Sequence, residues 1–311
     1  MFTLNDIPNL SEKVAIVTGG NSGIGYATSR ELARHGAHVF IASRNEELAN
    51  SAINRIKEET DNNNVEFLHL DLMNLRNVKR SAENFLSRGL PLHILINNAG
   101  IMATQNTHFS LLSFILISQA QDDIQDQFGV NYVGHYLFTK ILLPRIEESA
   151  PSRIVNVSCE AHRSARNGIE FDNLQNENAQ SSWCRYAQSK LANILFTKAL
   201  ANRCEGKNVY VNCNHPGFVK TELVRYMREN YTFFGVLMLK IGYLFASSPE
   251  NGAITQLYCA TSPEIEDKNY RGLYFIPYGK ICAPNPKAED ETLINNLWIY
   301  TENLISEKLA D

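Results

Sequence analysis

Short apolar runs of four to six residues alternate along this chain with longer stretches whose apolar positions recur every three or four residues. Lys13–Thr18 (KVAIVT) is the first such run, and Gly23 to His35 then carries apolar residues at 24, 27, 32 and 33, a helical spacing. Six further runs follow: His38–Ser43, Val65–Leu70, Leu92–Asn97, Arg153–Ser158, Asn208–Cys213 and Leu273–Ile276. Runs rich in Val, Ile and Leu with helical stretches between them predict strands buried on both faces. Right-handed crossovers then give an α/β fold: a doubly wound, mainly parallel sheet of seven strands with helices on both faces. No linker, repeat or low-complexity tract divides residues 1–311. One domain is expected, with a nucleotide-binding half over about 1–150 and a second half over about 151–311.

Composition narrows the classes without choosing among enzymes. Hydrophobic residues make up 44% and charged residues 20%, as in a globular protein. The net charge of −4, without a basic block, argues against nucleic acid as partner. The six cysteines, at 159, 184, 204, 213, 259 and 282, form no C-x-x-C pair and no metal-spaced group with histidines; they read as free thiols in a reducing compartment. Met1–Leu10 has no continuous apolar run, so it does not read as a secretory signal. No stretch reaches the roughly 18 apolar residues of a spanning helix. The expected location is the cytoplasm or the surface of an intracellular membrane, with peripheral membrane contact and homo-oligomerisation left open.

The chemistry-bearing motifs sit where strands end. The first run leads into Gly19-Gly20-Asn21-Ser22-Gly23-Ile24-Gly25. Glycines there let the backbone approach a pyrophosphate, and the next helix offers free N–H groups and its positive dipole end. A site for NAD usually has an acidic residue at the end of the second strand, to hold the ribose 2′-OH. Ser43-Arg44 stands there instead, and no carboxylate appears before Glu46. Arg44 can pair with the 2′-phosphate of NADP, which makes NADP the expected cofactor and NAD the less favoured one. The alternative is a solvated arginine at a helix start. Tyr186-Ala187-Gln188-Ser189-Lys190 places a phenol and an ammonium on one helical face. The ammonium is expected to pull the phenol's pKa toward neutrality, where it can exchange a proton with a substrate oxygen. Other polar or turn residues mark the same sheet edge: Asp71 at the end of the third strand, Asn97-Asn98-Ala99-Gly100 after the fourth, Asn131 opening a helix, Ser158 ending the fifth, and Pro216-Gly217 after the sixth.

TGGNSGIG (18–25), NNAG (97–100), Asn131, Ser158, YAQSK (186–190) and HPGFVKTE (215–222) together resemble the short-chain dehydrogenases/reductases, in order and in nearly all spacings. The resemblance covers essentially the whole chain. Ala42-Ser43-Arg44-Asn45, Gln127 to Asn131, Gly134-His135, Tyr274-Phe275 and Leu297-Trp298 are similar to the retinol-dehydrogenase and WW-domain-oxidoreductase branch. The resemblance implies a Rossmann-type fold and an oxidoreductase that interconverts a carbonyl and an alcohol. By it, Tyr186 is the general acid or base, Lys190 holds the nicotinamide ribose, Ser158 polarises the carbonyl oxygen, and Asn131 holds a water in a proton relay. It also implies cofactor contacts at Gly19, Asn21, Ser22, Gly23, Ile24, Gly25, Ser43, Arg44, Asp71, Leu72, Asn98, Ala99, Gly100, Tyr186, Lys190, Pro216 and Gly217, and no metal. A catalytically silent NADP-binding regulator or scaffold is the alternative, and the complete set of Asn131, Ser158, Tyr186 and Lys190 speaks against it.

Three features stand apart from the family pattern or from the motifs. Thr107–Gln119 (THFSLLSFILISQ) is an apolar segment that lengthens the stretch before Asn131 by about ten residues; an insertion packed as a short extra turn, or a gene-model artefact, is favoured over a membrane or partner patch. Thr221–Ser248 corresponds to the family's substrate lid, and its apolar content predicts an apolar substrate of retinoid, steroid or lipid-aldehyde kind. Cys159 is expected to pack, and His162 to be structural. Because the motifs on both sides of Thr107–Gln119 read as complete without it, a chain lacking that segment should fold with undiminished soluble yield and keep its turnover. Insoluble material, or folded protein without turnover, would show that the segment belongs to the core or shapes the site.

Overall fold

The computed structural model describes residues 1–102, 124–174, 179–219 and 246–310. Its strands are β1 (Val14–Thr18), β2 (His38–Ser43), β3 (Val65–His69), β4 (Ile94–Asn97), β5 (Ser152–Val157), β6 (Val209–Asn214), β7 (Tyr274–Ile276) and β8 (Lys280–Ile281). Its principal helices are α1 (Gly23–Arg34), α2 (Glu46–Thr60), α3 (Leu75–Ser87), α4 (Gly134–Glu148), α5 (Ser182–Arg203), α6 (Pro249–Thr261) and α7 (Glu291–Ala310). The sheet order is β3-β2-β1-β4-β5-β6-β7-β8, parallel through β7. The expected seven strands are therefore eight. The chain turns back after β7, and two exposed residues pair antiparallel as Phe275↔Ile281 and Ile276↔Lys280. So short and exposed a pair leaves no apolar run to read.

Strand periodicity divides the core between the two faces of the sheet. Ile16, Phe40, Leu95 and Ile154 face α3, α4, α5 and α7. Ala15, Val17, Ile41, Ile96 and Val155 face α1, α2 and α6. Local signals start the helices: Asn45, Asn74, Ser181 and Ser248 each accept the N–H three residues on, satisfying an orphan donor. The chain leaves β1 for β2 and β3 on one side, then returns to place β4 on the other. The crevice between the ends of β1 and β4 is the switch point at which such sheets bind ligands.

Two boundaries differ from expectation. β3 ends at His69, and Asp71 stands two residues beyond, its N–H bound to Asn77 Oδ1 at 2.7 Å and its carboxylate accepting the Met73 N–H at 3.0 Å. Asn131 does not open a helix. It lies inside one, where a π turn over Gly129–Val133 widens the backbone and the Gly134 N–H reaches five residues back to the Gly129 carbonyl. The segments Thr107–Gln119 and 221–245 of the expected lid fall outside the described residues. Among the described residues no helix is long and apolar enough to cross a membrane.

The helix around Asn131 is braced by the C-terminal helix. Thr301 gives its proton to the Leu297 carbonyl at 2.7 Å, so the buried Tyr132 hydroxyl donates to Thr301 Oγ1 at 2.8 Å. The Tyr136 ring lies 4.9 Å from that of Trp298, and the Arg203 guanidinium lies over the Trp298 ring, 3.7 Å from its centre. Thr301→Val keeps the shape and removes the acceptor, stranding a buried phenol. It should cost roughly 1–3 kcal/mol. An unchanged denaturant midpoint would show that the brace carries no stability.

Candidate active site

The loop after β1 is pressed into shape by its neighbours. Gly19 and Gly23 sit at φ +65 and +53, in the left-handed region that favours glycine. A Cβ on Gly25 would stand 2.2 Å from the Gly19 carbonyl oxygen, and one on Gly19 would stand 3.2 Å from Ala99 Cα. The loop is thus clamped between α1 and the Asn97–Gly100 turn, with no room for a side chain at Gly19 or Gly25. α1 begins at Gly23, and the Ser22 side chain caps none of its N–H groups. Asn21, Ser22 and Ile24 lie at the accessible rim of the loop. A helix N-terminus left open beside a glycine-rich turn fits an anionic, phosphate-bearing ligand.

The remaining sequence-predicted nucleotide residues flank this crevice, at the ends of β2 and β3 on one side and after β6 on the other. Ser43 ends β2 buried; Arg44 after it is exposed, with no ion pair or hydrogen bond of its side chain among the described residues. Leu72 is buried against the start of α4, where a Cβ on Gly134 would lie 2.7 Å from the Leu72 carbonyl oxygen. Pro216 and Gly217 leave β6 in a turn, with Gly217 at φ +89 against Pro277. Just before them, the buried Asn214 carboxamide and His215 Nδ1 have no partner among the described residues. Orphaned polar groups of this kind mark a polar ligand site or an ordered water.

At the near edge the structure brings Gly100, Asn131, Ser158, Tyr186 and Lys190 together. A Cβ on Gly100 would lie 3.1 Å from Asn131 Oδ1 and 3.3 Å from Lys190 Nζ. Asn131 Oδ1 accepts the Ile101 N–H at 2.8 Å, while its Nδ2 donates to the Ile101 carbonyl at 3.0 Å and to Ser189 Oγ at 2.9 Å. Ser189 in turn donates to the Tyr186 carbonyl at 2.8 Å. Lys190 Nζ lies 5.7 Å from the centre of the Tyr186 ring and donates to the Val157 carbonyl at 3.1 Å. An ammonium has three donors, and no second hydrogen-bond partner for this one is present among the described residues. Buried ammonium donors without protein partners fit ribose hydroxyls. The Ser158 hydroxyl donates to the Lys190 carbonyl at 2.7 Å, so it must swing from that oxygen before it can polarise a substrate.

Burial sets the electrostatics. Tyr186 is 2% exposed and packs with Met102, Ala161 and Cys159. Its pKa is pushed well above the usual phenol value, by burial first and by the Cys159 thiol second. This corrects the expectation that the neighbouring lysine draws it toward neutrality: removal from water sets the direction of the shift. Lys190, 4% exposed, is lowered to about 8 by the same burial, because its charged form is the one that loses hydration. His162 is buried and fully engaged, with Nδ1 on the Cys159 carbonyl at 2.7 Å and Nε2 accepting the Asn285 N–H at 3.0 Å, which fits a structural role.

One hub went unassigned in the sequence. Thr18 Oγ1 accepts the N–H groups of both Asn98 and Ala99 at 2.9 Å, and the Asn98 side chain donates to the Thr18 carbonyl at 2.9 Å. The only sequence signal is its place as last residue of the first strand, inside a motif read for its glycines. The family model for the short chain dehydrogenases matches residues 13–171 and 172–232, a span holding the Gly19–Gly25 loop, the Asn97–Gly100 turn, Asn131, Ser158, Tyr186, Lys190 and Pro216-Gly217. The chain belongs to the short chain dehydrogenase family. Retinol dehydrogenase 11 of Mus musculus is 41% identical over 95% of this chain and 87% of its own length, which places this short chain dehydrogenase in the retinol dehydrogenase-like branch as an oxidoreductase acting on CH–OH donors. A crystal structure of an uncharacterized protein from Mycobacterium Paratuberculosis superposes with a TM-score of 0.73 at 29% identity, covering 98% of this chain and 97% of that one. A short chain dehydrogenase of Escherichia coli CFT073 in complex with NADPH shares the fold, with a TM-score of 0.64 at 22% identity over 86% of this chain and 97% of that one.

Proposed function

We propose that this enzyme uses NADPH to reduce an apolar aldehyde or ketone, and NADP to run the reverse oxidation, with Tyr186 as the proton-transferring residue. The observation that carries the reading is the buried Lys190 ammonium, with donors to spare, beside a phenol that burial keeps protonated. The nicotinamide, when bound, supplies or accepts the hydride. The loop Gly19–Gly25 and the α1 N-terminus hold the pyrophosphate, and Ser43, Arg44, Asp71 and Leu72 flank the adenosine end. Asn98, Ala99 and Gly100 line the centre, and Pro216 and Gly217 border the nicotinamide. The exposed Arg44, unpaired among the described residues, favours NADP over NAD, and the Escherichia coli structure holds the phosphorylated cofactor.

In reduction, Tyr186 passes its proton to the carbonyl oxygen as hydride reaches the carbon, and an alcohol results. The phenolate left behind is stabilised by the Lys190 ammonium, which also binds the ribose. Ser158, turned from the Lys190 carbonyl, donates to the same substrate oxygen. Asn131 is held on Ile101 and Ser189, where it can support proton return from solvent. Two lines support an apolar substrate of retinoid, steroid or lipid-aldehyde class: the apolar sequence of the expected lid and the retinol dehydrogenase likeness.

Tyr186→Phe keeps the ring and loses the proton. Turnover should fall by about 10²- to 10⁴-fold, with the NADPH dissociation constant within a few-fold of wild type. Turnover retained within a few-fold would rule Tyr186 out as the acid. Arg44→Asp removes the phosphate partner and offers a carboxylate to a 2′-OH. It should weaken NADPH by about ten-fold or more and tighten NADH. Equal affinity of the wild type for both cofactors would contradict the assignment.

A further inference from the structure

His135, one turn beyond Asn131, is fully buried and reaches two parts of the site at once. Its Nε2 lies 2.8 Å from Thr18 Oγ1, and its Nδ1 lies 3.2 Å from the Asn131 carbonyl oxygen. Counting hydrogens fixes what each nitrogen does. A threonine hydroxyl has one proton and two lone pairs. The Asn98 and Ala99 N–H groups occupy both lone pairs of Thr18. The hydroxyl proton must therefore leave, and its acceptors are His135 Nε2 at 2.8 Å or the Ile96 carbonyl at 3.4 Å. The nearer is the ring nitrogen, so Nε2 accepts, Nδ1 carries the hydrogen, and Nδ1 donates to Asn131. Burial agrees: it lowers the imidazole's pKa to about 3, which keeps the ring neutral and the tautomer single.

We propose that His135 is a positioning residue that ties the two halves of the site together. Through Thr18 it locks the Asn98–Ala99 turn that lines the cofactor; through its Nδ1–H it fixes the Asn131 carbonyl in the widened π turn. The residue does not touch the reacting atoms. It sets the register between β1, the turn after β4 and the helix carrying Asn131, three elements that meet only at the switch point. Its catalytic consequence rests on the proposed role of Asn131, while the tautomer and the cofactor consequence do not.

Two side-chain amides separate the two bonds. Asparagine places its amide where the imidazole Nδ1 stands, and glutamine reaches the position of Nε2. His135→Asn should keep the bond to Asn131 and lose Thr18, so NADPH should bind about ten-fold more weakly with kcat near wild type. His135→Gln should keep Thr18 and lose Asn131, so kcat should fall about ten-fold with NADPH affinity near wild type. A residue that merely fills space would not give this crossed pattern; both variants losing both properties alike, or neither losing either, would overturn the proposal. The wild-type protein provides a check that needs no variant. Long-range nitrogen NMR should show a neutral Nδ1–H ring for His135 from pH 8 to about 5; an Nε2–H ring, or titration near the ordinary histidine value, would overturn it equally. A wild type that binds NADPH and turns over no carbonyl would sink the catalytic reading of the site, leaving the tautomer and the NADPH dissociation constants of the variants to decide the role of His135.

Discussion

A single buried charge organises this site. Taking an ammonium out of water costs several kcal/mol unless other groups replace its hydration, and among the described residues Lys190 has only the Val157 carbonyl hydrogen-bonded to it, at 3.1 Å. The rest of its environment is arranged to leave it accessible to a ligand and little else. Gly100 supplies backbone without a side chain, Asn131 stands beside it, and the Tyr186 ring lies 5.7 Å away. The imperfect solvation of this lysine appears as a pKa lowered to about 8, still charged at neutral pH. A charge held in that state is worth more to a developing phenolate than one in water.

The fold pays for that arrangement by bringing four elements to one sheet edge. Thr18 ends β1 and holds the turn after β4, and the same turn leaves the clearance that the Gly19–Gly25 loop needs. Asn131 reaches Ile101 on one side and Ser189 on the other, so the helix with the π turn is stitched both to that turn and to α5. α7 then anchors this helix from outside, through Thr301 and Trp298. Position at the proposed reacting centre thus depends on polar bonds between elements distant in sequence, set on a sheet whose buried strands give it stiffness.

Much of this was legible in the residues. Short continuous apolar runs located seven strands within two residues at either end, because burial on both faces writes an unbroken Val/Ile/Leu signal. The glycine loop and the Tyr186/Lys190 face were legible because each demands a residue type at a fixed spacing. Three things were not. β8 is two exposed residues and owes its existence to pairing, which leaves no apolar signature. The direction of the Tyr186 shift follows from depth, and spacing says who stands next to the phenol but nothing of how much water is left. The Thr18–His135–Asn131 chain spans 117 positions in sequence, and only the fold brings it within hydrogen-bond reach.

The central claim is that a protonated Tyr186 acts under a charged Lys190. The pH dependence of NADPH-driven carbonyl reduction at saturating cofactor tests it most directly. Burial raises the phenol's pKa, so Tyr186 keeps its proton through the neutral and mildly alkaline range; burial lowers the lysine's, so the ammonium is present below about 8 and lost above it. Reduction should therefore hold at neutral pH and decline as pH rises through about 8. A reductive rate that climbs across that same range would contradict the account.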